Sequence, residues 1–170
     1  MQTTIVNAKF ALGRTMLASV RRLLDQTRRE LSHQQLVRRL GDDPTRAIGS
    51  TSDAVETALT LLDPVSCQDT NDHHMWVNFA VRPLAELLYA ASQQRDAGNG
   101  MQWTWHALVN VEAPTTVPGW QQAARIWDQA DTALPGQLLR IAQLPVRQRQ
   151  SVIHTMHAAI APWVSGQGER

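Results

Sequence analysis

A single lysine, Lys9, and a single cysteine, Cys67, stand in a chain of 170 residues. No Gly-rich loop leads into a Lys followed by Ser or Thr, so the phosphate cradle of a P-loop ATPase is excluded. The lone cysteine excludes an intrachain disulfide and a cysteine-built metal cluster, and it suits a reducing compartment. No nucleophile elbow and no His-Glu-x-x-His pair occurs, which removes two common hydrolase signatures. No uninterrupted apolar run reaches the ~18 residues of a membrane span. The N-terminus carries Lys9, Arg14, Arg21 and Arg22 without the continuous apolar segment of a signal peptide. These absences predict a cytoplasmic chain with no direct membrane insertion.

Large side chains are also scarce, except for one type. Phenylalanine and tyrosine together supply three residues, whereas tryptophan supplies six. Hydrophobic residues make up 43% and charged residues 18%, enough apolar material for a real core. That inventory suits helices packed through Leu, Ala and Trp rather than a sandwich of aromatic and β-branched strands. The net charge of +1 hides a partition. Residues 1–46 hold nine basic against four acidic residues, and residues 47–133 hold three against ten. Basic ends around an acidic middle favour directional contacts.

Apolar periodicity predicts an all-α chain, a single helical bundle of seven or eight helices with no convincing strand pair. A basic helical arm is expected over residues 1–46 and the bundle over 47–165. The arm contains a helix over 8–30, with Phe10, Leu17, Val20 and Leu24 on one stripe, and a short helix from Ser32 to a stop at Gly41. A loop over 41–52 follows, then a helix that Asp53 and Glu56 cap and Pro64 stops. The strongest core helix is expected from His74 to Arg95, with Trp76, Phe79, Ala80, Leu84, Leu87, Leu88 and Ala91 inward and a kink or break at Pro83. Gly98-Asn99-Gly100 reads as a turn. Residues 101–111 suit a helix, although a strand is also compatible with their pattern. Helices are then expected over Gly119–Ala133, after Pro135 through Leu138, Leu139 and Ala142, and from Pro145 to Pro162-Trp163.

Candidate chemistry is sparse. His73 and His74 with Cys67, Asp69 and Asp72 suggest a metal site, but adjacent imidazoles fit tetrahedral zinc poorly, and a polar helix start explains them as well. His154 and His157 share a helix face, with His106 as a third ligand from elsewhere, or they line a helix contact. Asp128, Asp131 and Glu112 form either an acid–base set or a solvated face. No cofactor is expected. Trp76 and Trp127 read as core, and Trp103 and Trp120 are open between core and an exposed stacking surface. Two arginine groups are the binding candidates. Arg14, Arg21, Arg22, Arg28 and Arg29 form a strip on the arm that suits phosphates, a membrane surface or plain solvation. Arg140, Arg147 and Arg149 form the second group. Arg147 and Arg149 stand in the first turns of the last helix, where the helix dipole opposes cations, so something acidic is expected to compensate them.

The Met75-Trp76 opening, the run Ala80, Leu84, Leu87, Leu88, Tyr89, Ala90 and Ala91, the Trp103–Trp105 segment and the closing RQRQSVIHTMHAAIAPW together resemble one family. They are similar to the all-alpha domain of VirD4/TraG-type coupling proteins, the hexameric ATPases that deliver DNA or effector proteins to a type IV secretion channel. Trp76 stands where that domain's opening helix begins. Arg149, Ser151, Thr155, Ala158, Ala159, Pro162 and Trp163 stand along its closing helix. The resemblance spans about residues 50–165 and rests on packing residues. It implies a non-enzymatic recognition domain in conjugation, with DNA held through phosphate contacts, a relaxosome or secretion-substrate protein, and a hexameric motor ATPase as partners. The chain carries neither the Walker motifs nor the membrane helices of the full proteins. The competing expectation is a structural or adaptor domain that mediates subunit contacts without binding nucleic acid.

Overall fold

A computed structural model describes residues 27, 38, 40–66, 71–94, 100–130 and 135–164. The chain separates into two compact units, Met1–Gln35 and Leu36–Arg170, and the second holds all the elements below. Among the described residues the structure is all-helical, without strands. A 3-10 turn at Pro44–Ala47 precedes six α-helices: α1 (Thr51–Ser66), α2 (Asn71–Gln93), α3 (Gly100–Val109), α4 (Trp120–Asp128), α5 (Leu138–Ala142) and α6 (Val146–Val164). The helices expected over 8–30 and before Gly41 lie almost wholly outside the described residues. Gly41 itself has φ +74°, the left-handed conformation in which glycine ends a helix without steric cost.

Helix α1 begins earlier than its Asp53–Glu56 pattern suggests. The reciprocal cap is Ser50 with Asp53: the Asp53 amide donates to Ser50 Oγ at 3.1 Å, and Asp53 Oδ2 accepts from the Ser50 amide at 2.8 Å and the Gly49 amide at 3.0 Å. The box had been read three residues too late, because Asp53 is its N3 member rather than its cap. Hydrogen bonding from the Ser50 side chain and the Gly49 amide holds the Asp53 carboxyl below its ordinary value. Pro64 lies inside α1 rather than beyond it. Its missing amide bond falls in the final turn, and the helix ends two residues later.

Helix α2 is the axis of the bundle and packs against the 3-10 turn and every other helix. It runs unbroken through Pro83, so the expected division into two helices does not occur. Its second half is enclosed all round, since Leu84, Ala85, Glu86, Leu87, Leu88, Ala90 and Ala91 are fully buried. A helix surrounded by neighbours needs no polar face, and its alanines admit helices from several sides. Its first half is different. Phe79, expected in the core, is 49% exposed and lies beside Trp76 with ring centroids 6.2 Å apart. Leu59 of α1 and Leu139 of α5 are exposed as well.

Helix α3 resolves the ambiguous segment as helix up to Val109, short of residue 111, with Gly100 as its first residue rather than part of a turn. Its start is tied to the 3-10 turn. Asp43 Oδ2 accepts from the Gly100 amide at 3.2 Å, while Asp43 Oδ1 accepts from the Thr45 amide at 3.1 Å and from Thr45 Oγ1 at 2.7 Å. A Cβ at Gly100 would stand 1.9 Å from Thr45 Oγ1, so only glycine permits this approach. Helix α4 ends at Asp128, short of the expected Ala133, and residues 131–134 lie outside the described set. Trp120 is fully buried, and its indole Nε1 donates to the Leu108 carbonyl at 3.1 Å. Trp103 is also buried, so neither of the two undecided indoles is a stacking surface. Trp127 meets Tyr89 edge to face, with centroids 5.7 Å apart.

Candidate functional site

Helix α5 has only five residues and no side-chain cap of its own, because Pro135-Gly136-Gln137 precede it. So short a helix is not stable by itself. Two charged side chains from longer helices hold its ends. At the start, the carboxylate of Glu86 from α2 accepts from the Gln137 and Leu138 amides, the latter at 3.1 Å. At the end, Arg149 Nη1 from α6 donates to the Ala142 carbonyl at 2.8 Å. An anion at the helix N-terminus and a cation at its C-terminus both match the backbone dipole. Burial drives the Glu86 carboxyl up to about 7, assisted by the negative charge of Asp128; the two amide donors and Arg82 oppose the rise.

This arrangement accounts for an arginine that the sequence reading placed in a binding group. Arg149 is half-buried and serves α5, and a backbone carbonyl rather than an acid compensates it. Arg140 and Arg147 are exposed, on α5 and α6 respectively. The strip Arg14, Arg21, Arg22, Arg28 and Arg29 lies outside the described residues. Glu86 stands inside an apolar pattern that marks its neighbours as core and gives it no role of its own. Its signal was available: one carboxylate within an Ala-Leu run, upstream of a short helix without a cap.

The second feature is a groove of about 890 Å³ between α2, α3 and α6. Trp76 of α2, Val109 of α3 and Arg147, Ser151, Ile153, His154 and His157 of α6 line it. Val109 is 59% exposed, and exposed Phe79 lies beside the lining residue Trp76, so apolar surface continues past the rim at that side. On α6 the hydroxyls are internally engaged: Ser151 Oγ donates to the Arg147 carbonyl at 3.1 Å, and Thr155 Oγ1 to the Ser151 carbonyl at 2.9 Å. His157 lies against the Trp105 indole with ring centroids 3.9 Å apart. Burial, and then the neighbouring His154, lower its imidazole below the ordinary histidine value.

No protein-family model matches the chain, and no curated protein or solved structure matches it either. The groove and the α5 clamp are therefore read from their own chemistry. Among the described residues, no three His, Cys, Asp or Glu side chains are grouped to hold a metal ion. Trp105 occupies one face of His157, so that ring is a packing partner as well as a titratable group. Cys67, Asp69 and Asp131 lie outside the described residues, and of His73 and Asp72 only the helical backbone is described. Among the described residues, no helix is long and apolar enough to cross a membrane.

Proposed function

We propose that this chain is a non-enzymatic helical recognition domain that docks a partner protein across the face formed by α2, α3 and α6. The observation that carries this reading is the open groove beside exposed Phe79 and Val109. Contiguous apolar surface of this kind, with polar groups at its edge, is how interaction sites differ from ordinary surface. The all-helical bundle and the residues shared with VirD4/TraG-type coupling proteins support a place in conjugative or type IV secretion machinery. There the partner would be a relaxosome or secretion-substrate protein, met in the cytoplasm. Protein docking is preferred to DNA binding because Arg149 is committed to α5. That leaves Arg147 as the groove's one permanent cation among the described residues. Phosphate binding draws its affinity from several cations acting together.

A photo-crosslinking residue at Val109, compared with one at the exposed Leu139 of α5, tests this in cells that carry a type IV channel. Crosslinks from Val109 to a cargo or motor protein are expected, and Leu139 should give none. Equal capture at both positions would refute the docking face. In parallel, titration with a DNA oligonucleotide at about 50 mM salt should give weak binding that collapses as salt rises. Tight, salt-resistant DNA binding would overturn the preference for a protein partner.

A further inference from the structure

Resting on that docking reading, we propose that the groove takes an acidic amphipathic segment of its partner, whose carboxylates meet Arg147, His154 and His157 while its aliphatic side chains meet Trp76, Val109 and Ile153, so that binding tightens on acidification. The geometry supplies both halves of the recognition. Arg147, His154 and His157 follow an i, i+7, i+10 pattern along α6, which places them on one stripe roughly 15 Å long. That length suits a few turns of helix or a short strand. The lining also holds the Trp76 indole and the exposed Val109, which supply the apolar half of the contact. No acidic side chain lines the groove among the described residues, so its cations face outward uncompensated.

The titratable groups around the imidazoles are few. On α6 they are Arg147 and the two histidines themselves, with Arg149 turned to the Ala142 carbonyl and not part of the lining. Helix α2 contributes Trp76 to the lining and α3 contributes Val109, with Trp105 against His157; none of these titrates. His74 on α2 and His106 on α3 are exposed but are not part of the lining. Helix α1 also packs on α6, and its Asp53, Glu56 and Asp63 are not part of the lining either. Protonation therefore adds positive charge to a stripe that already holds a guanidinium, and carboxylates gain affinity as pH falls. Because His157 lies below the ordinary histidine value, its share arrives at lower pH than an unperturbed imidazole would give. Nucleic acid is the weaker fit, because one permanent cation is too little to follow a phosphate backbone.

The test is selection of a random peptide library, about 15 residues long, on the immobilised full chain near pH 6. Peptides combining Asp or Glu with Leu, Ile or Val are expected to be enriched. Arg147→Glu should weaken a selected peptide roughly tenfold, and raising the pH to about 8 should weaken it several-fold. His154→Gln, at an exposed position, should reduce that pH response, and His154→Gln with His157→Gln should abolish it. Enriched peptides that lose binding on the double change Val109→Gln and Ile153→Gln but show no acidic bias would overturn the acidic partner and leave the docking reading intact. No enrichment, or enrichment indifferent to that double change, would overturn the docking reading itself. Binding that does not change with pH would overturn the role of the imidazoles. A single-stranded oligonucleotide that displaces the peptides at equal concentration would reassign the groove to nucleic acid.

Discussion

Replacing Glu86 by glutamine keeps the shape of a fully enclosed side chain and removes its charge. In the folded protein the carboxyl titrates at about 7, against an ordinary 4.5, because ionisation occurs out of water and near Asp128. Between those two values the folded state holds more protons on this group than the unfolded state does. Stability therefore falls as pH rises through the window, and the loss is complete above the folded value. A rise from 4.5 to about 7 corresponds to on the order of 3 kcal/mol. In a chain of this size that is roughly 6–12 °C of melting temperature. Glu86→Gln abolishes this slope but introduces a separate cost. Its amide nitrogen faces one of the two backbone donors that begin α5, and an orphaned buried N–H costs about 1–3 kcal/mol at any pH. The variant should thus be clearly less stable than the parent near pH 4.5 and nearly equal, or more stable, near pH 8. His157 acts with the opposite sign. Its lowered value favours the neutral ring in the folded state, so acidification through the histidine range costs stability. Only the difference between parent and variant isolates Glu86. Urea denaturation followed by circular dichroism at several pH values provides it, and a difference that stays constant across the window would refute the reasoning.

Gly100→Ala should destabilise by about 2–4 kcal/mol, because its methyl group collides with Thr45 and opens the Asp43 cap. A urea midpoint within error of the parent would show that the 3-10 turn can move away. Arg149→Ala should cost about 1–3 kcal/mol through the lost bond to Ala142, whereas exposed Arg147→Ala should stay within about 0.5 kcal/mol; equal losses would contradict the clamp on α5. Trp120→Phe keeps an aromatic ring but orphans the Leu108 carbonyl, and a loss of about 1–3 kcal/mol by thermal denaturation is expected.

Much of the helical order was legible in local sequence. Gly41 and Pro145 mark boundaries that depend on the backbone preferences of single residues, whereas the helix expected from Pro135 begins only at Leu138, and the pattern over 101–109 needed only its helical surroundings. The departures have separate causes. Phe79 fits an apolar stripe yet faces outward, because periodicity defines a face but not how far the neighbouring helices extend over it. Pro83, expected to kink or divide its helix, is itself buried in an unbroken α2, and tertiary packing outweighs one missing amide bond. The cap of α1 was misplaced by three residues because Ser50, Asp53 and Glu56 offer two overlapping patterns, and hydrogen-bond geometry selects one.

The groove was hardly visible in the sequence, since its walls come from residues as far apart as Trp76, Val109 and His157. The His154–His157 pair and Arg147 were legible as one face of a helix, but nothing in that window shows that an indole and a valine join them in the lining. What the sequence determined by itself was a helical chain rich in tryptophan, lacking nucleotide-binding loops and cysteine chemistry, with basic ends around an acidic middle. Only the tertiary structure decided which charges are spent inside and which face a partner. Glu86 and Arg149 hold α5 while Arg147 remains at the groove. The physical reason is that helix formation rests on neighbours three or four residues away, whereas the fate of a charge depends on whichever backbone dipole the fold brings to it.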